Sequence, residues 1–279
     1  MRITVLGPIQ VAEGGQEILL TGQRQRALIG GLVLDLGKVV PIARLIDALW
    51  SINPPKSART KLQGYVSAIR RQLCCAGLAG DEILVTSPPG YQLRHVGVWT
   101  DLEEFKTLSA RGQAALEAGD APAASDMLQA ALALWRGQPF ADVSSDVIRA
   151  AADGIGERRI LAIEAKAEAD LLIGRSNSVA ADLREWLSVY PLRERLRGYC
   201  MLAAYRQGCR ADALNLFRQG RTVMVRELGV EPGPELRALH QLMLRDEPQL
   251  QIAHPRAVFT PARQHWLTAR ERSLTRRTG

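Results

Sequence analysis

The chain has 279 residues, of which 47% are apolar and 23% charged, and carries a net charge of +7. That composition describes an ordinary folded protein with room for about two domains and excludes a disordered polyelectrolyte. The longest apolar run, "ALIGGLVLDLG" at 27–37, is broken by Asp35 and by glycines, and the start "MRITVLGPIQVAEGG" lacks an apolar h-region, so neither a membrane span nor a signal peptide is expected.

Charge is spread unevenly. Residues 1–95 carry a net +5, residues 96–250 a net −3, and residues 251–279 a net +5. A basic head on an acidic body points the head toward a polyanion. The four cysteines (Cys74, Cys75, Cys200 and Cys209) have neither CxxC spacing nor the density of a disulfide scaffold. Reduced thiols and a cytoplasmic location are expected.

The head opens with alternation in "RITVLGPIQV", a turn at Gly14-Gly15, and "QEILL", which read as strands. Helical patterns follow at 23–36, closed by Gly37, and at 43–50. The stretch "SINPP" then forbids helix continuation through its two prolines. A third helical pattern, "KSARTKLQGYVSAIRRQL" at 56–73, holds five cations and no acid. At about 100° per residue, Ala58, Leu62, Tyr65, Val66, Ile69 and Leu73 fall on one apolar arc. Lys56, Thr60, Gln63, Gly64, Ser67, Arg70 and Arg71 fall opposite, with Arg59 on the flank. A face that only needed solvating would mix Glu with Lys for i,i+4 support. A short cationic run is often no more than a solvated face, but the basic head favours an anionic partner. Near the end, "EILVTSPPGYQLRH" reads as two strands around Pro88-Pro89-Gly90. Strands, three helices and a hairpin, with a basic outer face on the last helix, make the winged helix-turn-helix pattern, whose last helix enters the major groove.

Residues 96–250 read as helix after helix. Gly119, Gly174 and Gly208 each separate two helical patterns, and the last two are 34 residues apart, the tetratricopeptide period. Ala124, Ala181 and Ala213 follow where close helix packing needs small residues. An all-α body of stacked helix pairs is therefore expected, a class that binds proteins or dimerises. The tail 251–279, with six arginines and two prolines, is expected to be a disordered basic arm.

No catalytic, cofactor or metal site is expected, and the chain does not read as an enzyme. "GGLVLDLGKVV" fails as a phosphate loop, because Leu32 stands where glycine is needed and Val39 where Ser or Thr is needed. The four histidines are scattered singly.

"SARTKLQGYVSAIRRQL", "PPGYQL" and "VLGPIQV", together with "LGVEPGPELRALHQLML" at 228–244, resemble the Streptomyces antibiotic regulatory proteins. Those proteins join an OmpR-type winged helix to a bacterial transcriptional activator domain. The resemblance covers about residues 1–250 and implies a winged-helix DNA-binding domain over 1–95 and a tetratricopeptide-like activator domain over 96–250, which leaves the basic tail 251–279 outside it. It further implies a sequence-specific activator of a secondary-metabolite gene cluster, bound to direct repeats upstream of promoters, recruiting RNA polymerase and acting as a homodimer on DNA. Carried onto this sequence, Thr60, Gln63, Ser67 and Arg70 face bases or nearby phosphates. Lys56, Arg59, Lys61 and Arg71 position the helix on phosphates, and Gly64 lets backbone approach backbone. Thr86 and Ser87 lie at the wing, and the loop residues Ser51, Ile52 and Asn53 correspond to a polymerase contact. The chemistry is consistent on its own terms, since Gln pairs bidentately with adenine and Arg with guanine. The chain departs from the family pattern at Ser87 and Ala68, where arginines are common. A rival from another class is a helical-repeat adaptor whose basic head binds an acidic protein.

Overall fold

A computed structural model of the protein describes residues 1–252 together with 254 and 255. The expected basic tail therefore lies almost wholly outside the described residues. The chain divides into two compact units, one of Met1–Arg111 with Gln129–Ala162, the other of Gly112–Leu128 with the residues from Ile163 onward.

In the first unit the early strands are β1 (Arg2–Thr4), β2 (Gln10–Glu13) and β3 (Gln16–Glu17). Three helices follow, α1 (Gln23–Leu34), α2 (Ile42–Trp50) and α3 (Ala58–Cys75), and then a single turn, α4 (Gly80–Ile83). A short strand, β4 (Val39–Pro41), precedes α2, and the hairpin is β5 (Leu84–Ser87) and β6 (Gly90–Leu93). Sequence alone does not predict β4, which pairs antiparallel with β6 to make a three-stranded wing sheet in the order β4-β6-β5. It also misses β7 (Trp99–Thr100), which runs parallel to β1 and completes the sheet β3-β2-β1-β7. Both are too short to show alternation. Leu28, Leu32, Leu45, Leu49, Leu62, Ile69, Leu84 and Leu93 are buried among the three helices and the wing. Each such leucine contributes about 1.5–3 kcal/mol over leaving it exposed.

β1 ends at Thr4 because the next backbone groups find other partners. The Asp101 carboxylate accepts from Val5 N–H at 2.7 Å and Leu6 N–H at 2.9 Å. Their carbonyls accept from Phe140 N at 2.9 Å and Arg136 N at 2.7 Å. Segments far along the chain thus complete the hydrogen bonding of the head.

The remaining helices are α5 (Asp101–Glu117), α6 (Ala121–Ala133), α7 (Asp146–Leu172), α8 (Ser176–Val189), α9 (Glu194–Arg206), α10 (Arg210–Leu228) and α11 (Pro234–Leu244). Three helix pairs turn on the three glycines that the repeat singles out. Gly119, Gly174 and Gly208 have φ of 84°, 80° and 78°, the left-handed region that glycine enters without a Cβ penalty. Each turn closes with the same six-to-one bond, from Asp120 N to Ala115 O, Arg175 N to Asp170 O and Cys209 N to Ala204 O. That is the Schellman ending of a helix. Ala124 and Ala213 are fully buried as expected. Ala181 is exposed and the expectation for it fails: it stands seven residues after its glycine, whereas Ala124 and Ala213 stand five after theirs, and the matching position on α8 is the buried Val179. In the second unit Tyr199 donates to Glu168 at 3.0 Å, and Asp170 accepts on its two oxygens from Ser125 at 2.6 Å and Lys166 at 2.7 Å, so the buried Asp170 is satisfied.

Candidate nucleic-acid interface

The 18 residues of α3 divide as the helical wheel predicts. Ala58, Leu62, Val66, Ile69 and Leu73 are buried, and Tyr65 is half-buried at the edge of that arc, 6.2 Å from the Trp50 ring. Lys56, Arg59, Thr60, Lys61, Gln63, Gly64, Ser67 and Arg71 are exposed. Among the described residues no carboxylate lies within ion-pair distance of Lys56, Arg59, Lys61 or Arg71. The first turn has no acid and no side-chain cap; Ala58 N–H donates to Pro55 O at 2.8 Å, and the N–H groups of Arg59 and Thr60, with the positive end of the helix dipole, lie beside Lys56. Phosphate oxygens suit that end of a helix.

Gly64 sits midway along this face with nothing within 4 Å of where a Cβ would lie. Internal packing therefore does not require glycine there.

Arg70 is placed differently from the others. Its Nε donates to Leu84 O at 2.8 Å, its Nη2 donates to Thr86 Oγ1 at 2.9 Å, and Asp81 lies 3.1 Å from the same Nε. The guanidinium is thus committed to the wing strand rather than projecting with Gln63 and Ser67. Arg70 and Thr86 come together as a clasp that fixes the angle between α3 and the wing. Ser87 follows, half-buried, at the end of β5.

On the other side of α3, Gln72 Nε2 donates to Gln25 Oε1 at 3.3 Å, and Gln25 in turn accepts from Thr21 N at 2.8 Å. These amides hold α3 against the start of α1. Sequence reasoning missed both Asp81 and this amide pair. The available signal was a glutamine on an otherwise apolar face, since Gln25 is buried among the inward residues of α1.

The loop residues Ser51, Ile52 and Asn53 stand apart from the α3 face. Ser51 has φ of 51°, and its Oγ accepts from Asp146 N at 3.4 Å. Ile52 is 87% exposed, one of the most exposed large apolar residues described, and Asn53 is exposed beside it. Among the described residues no group of three or more His, Cys, Asp or Glu side chains could hold a metal ion, and no helix is long and apolar enough to cross a membrane.

The bacterial transcriptional activator domain family matches residues 100–244. The chain is 36% identical over 245 residues to the transcriptional regulatory protein EmbR of Mycobacterium tuberculosis, covering 88% of this chain and 63% of that protein. It is 34% identical over 255 residues to the regulatory protein DnrI of Streptomyces peucetius, covering 89% and 93%. It matches only 25% of the length of the regulatory protein AfsR of Streptomyces coelicolor, at 34% identity over 90% of this chain. Among solved structures, Mycobacterium tuberculosis EmbR in complex with a low-affinity phosphopeptide superposes with a TM-score of 0.86 at 33% identity, covering 97% of this chain and 70% of that one.

Proposed function

The chain belongs to the Streptomyces antibiotic regulatory protein family, and from that premise we propose that it binds duplex DNA in a sequence-specific way through α3 and activates transcription. The observation that carries this reading is the acid-free outer face of α3, with four cations that have no internal ion-pair partner. In the reading, Lys56, Arg59, Lys61 and Arg71 engage phosphates and fix the register. Gln63, Thr60 and Ser67 read base edges in the major groove, and Thr86 and Ser87 bring the wing to the adjoining backbone. Arg70 positions the helix rather than reading a base. The operator is a direct repeat upstream of a secondary-metabolite cluster, occupied by two copies of the chain. The names of DnrI and AfsR as regulatory proteins of Streptomyces support a regulatory role for the chain. The exposed Ile52, flanked by Ser51 and Asn53, is the proposed contact with RNA polymerase.

The test is footprinting and gel shift on duplexes taken from upstream of the neighbouring genes. Gln63→Ala is expected to lose about 1–3 kcal/mol on the protected site and less on random duplex. Lys56→Ala is expected to weaken both alike and to flatten the salt slope by about one. Unchanged affinity and footprint for Gln63→Ala would remove α3 from base reading. Absence of any salt-dependent duplex binding would leave the basic head to an acidic protein instead.

A further inference from the structure

In the second unit α9 packs on both α8 and α10, and the outer helices leave a groove over it. Arg184, Leu187 and Ser188 line it from one face of α8; Asp212, Asn215, Leu216, Gln219 and Val223 line it from one face of α10. The cavity holds about 470 Å³, within the range of sites for small molecules and short segments.

Arg197 of α9 forms part of the lining although it is only 4% exposed. Its Nη1 donates to Leu216 O at 3.0 Å and its Nη2 donates to Pro191 O at 2.9 Å, which holds the guanidinium across the base of the groove. Its Nε is buried with no acceptor. Gly220 lies so close that any Cβ there would collide with the Arg197 side chain, so the position is tightly fixed. Among the described residues no carboxylate comes within ion-pair distance of Arg197. Burial lowers its pKa, and the opposing effect comes from the Cys200 thiol rather than from an acid. A buried cation with carbonyls but no counter-ion is unusual, because burying charge is costly unless it is paired.

The one acid lining the groove, Asp212, stands 3.9 Å from Arg184, with both side chains mostly exposed, so that pair is weak and open to exchange. Two cations therefore face one carboxylate across an apolar wall of Leu187, Leu216 and Val223. We propose that this groove binds a short acidic peptide segment of a partner protein. The peptide carboxylate sits between Arg184 and Arg197, replacing Asp212, and a neighbouring apolar side chain packs on the wall. The Asn215 and Gln219 amides are suited to the peptide backbone.

The full chain should be titrated into a fluorescein-labelled hexapeptide alternating Glu and Leu, with anisotropy as the readout. Saturable binding below about 100 μM is expected, weakened about tenfold or more when Gln replaces Glu in the peptide. Arg184→Glu, at an exposed site, is expected to weaken binding by a similar factor while leaving the melting temperature unchanged. It serves as the key variant because removing the buried Arg197 endangers folding. No saturation up to about 1 mM, or equal affinity for the Gln peptide or for Arg184→Glu, would overturn the proposal. Competition by free glutamate as strong as by unlabelled peptide would also overturn it, reducing the groove to a site for small anions.

Discussion

At the scale of single residues, the division of labour among the arginines of α3 decides what the helix can read. Arg71 projects, but Arg70 spends its donors on Leu84 O and Thr86 Oγ1. A lysine in its place keeps the charge and loses the fork that reaches two acceptors at once. Arg70→Lys and Arg70→Ala are therefore both expected to lower stability by about 1–2 kcal/mol in urea titration. Both are expected to weaken binding to specific and random duplexes to similar degrees. Full rescue of DNA affinity by Lys would mean that Arg70 acts as a phosphate contact after all. In the second unit, His240 stacks on Phe217 with centroids 3.8 Å apart and planes 6° apart. Burial first, and the Arg218 cation second, lower its pKa below the ordinary value. As pH falls, the unfolded chain takes the proton before the folded one, so this contribution is complete above about pH 6.5 and declines below it. The melting temperature is expected to fall as pH drops below about 6.5, and less steeply in His240→Phe, which keeps the stack without the titration. Parallel pH profiles for the two proteins would assign the acid sensitivity to other groups.

At the scale of elements, α3 shows how a sequence can favour function over helix stability. Glycine inside a helix costs about 1 kcal/mol relative to alanine, and open space surrounds Gly64. Gly64→Ala is thus expected to raise stability by about 0.5–1 kcal/mol while weakening DNA binding, if the outer face meets a DNA backbone. A gain in stability with undiminished affinity would remove close approach as the reason for glycine. The two faces of α3 were legible because 18 residues carry five helical turns of pattern, and the three hairpin glycines because a left-handed helix ending selects for glycine. What was not legible depends on partners distant in sequence. β4 and β7 are strands only through pairing with residues about 50 and nearly 100 positions away. Arg70 looks on the wheel like its neighbours, and only the folded wing brings Leu84 and Asp81 beneath it. Ala181 lies two positions beyond the register that Ala124, Val179 and Ala213 share, and a small side chain alone does not mark the packed face, since Val179 fills that place on α8.

At the scale of the whole molecule, the basic head reads in sequence as a domain over 1–95 that closes its own core, so that a fragment of 1–96 should fold. Its hydrogen bonds do not close within that span. Val5 and Leu6 are fully buried, and their N–H groups depend on Asp101, their carbonyls on Phe140 and Arg136. Ile9 N–H donates to Asp142 at 2.9 Å, and Asp142 also pairs with Arg26 at 3.1 Å. Cutting at 96 removes all of these partners together with the buried ring of Phe140. Each buried group left unpaired costs about 1–3 kcal/mol, against a total stability of about 5–15 kcal/mol for a domain. Water entering the exposed edge recovers part of that loss, but not the apolar burial. The fragment 1–96 is therefore expected to lack cooperative unfolding, whereas 1–162, which carries the whole of the first unit, is expected to unfold in one transition and to bind duplex DNA. Urea titration followed by tryptophan fluorescence compares the two directly. A midpoint for 1–96 equal to that of 1–162 would show that the later segments only rest on the head. In that case the surface around Val5 and Leu6 would contribute to the placement of the head rather than to its folding.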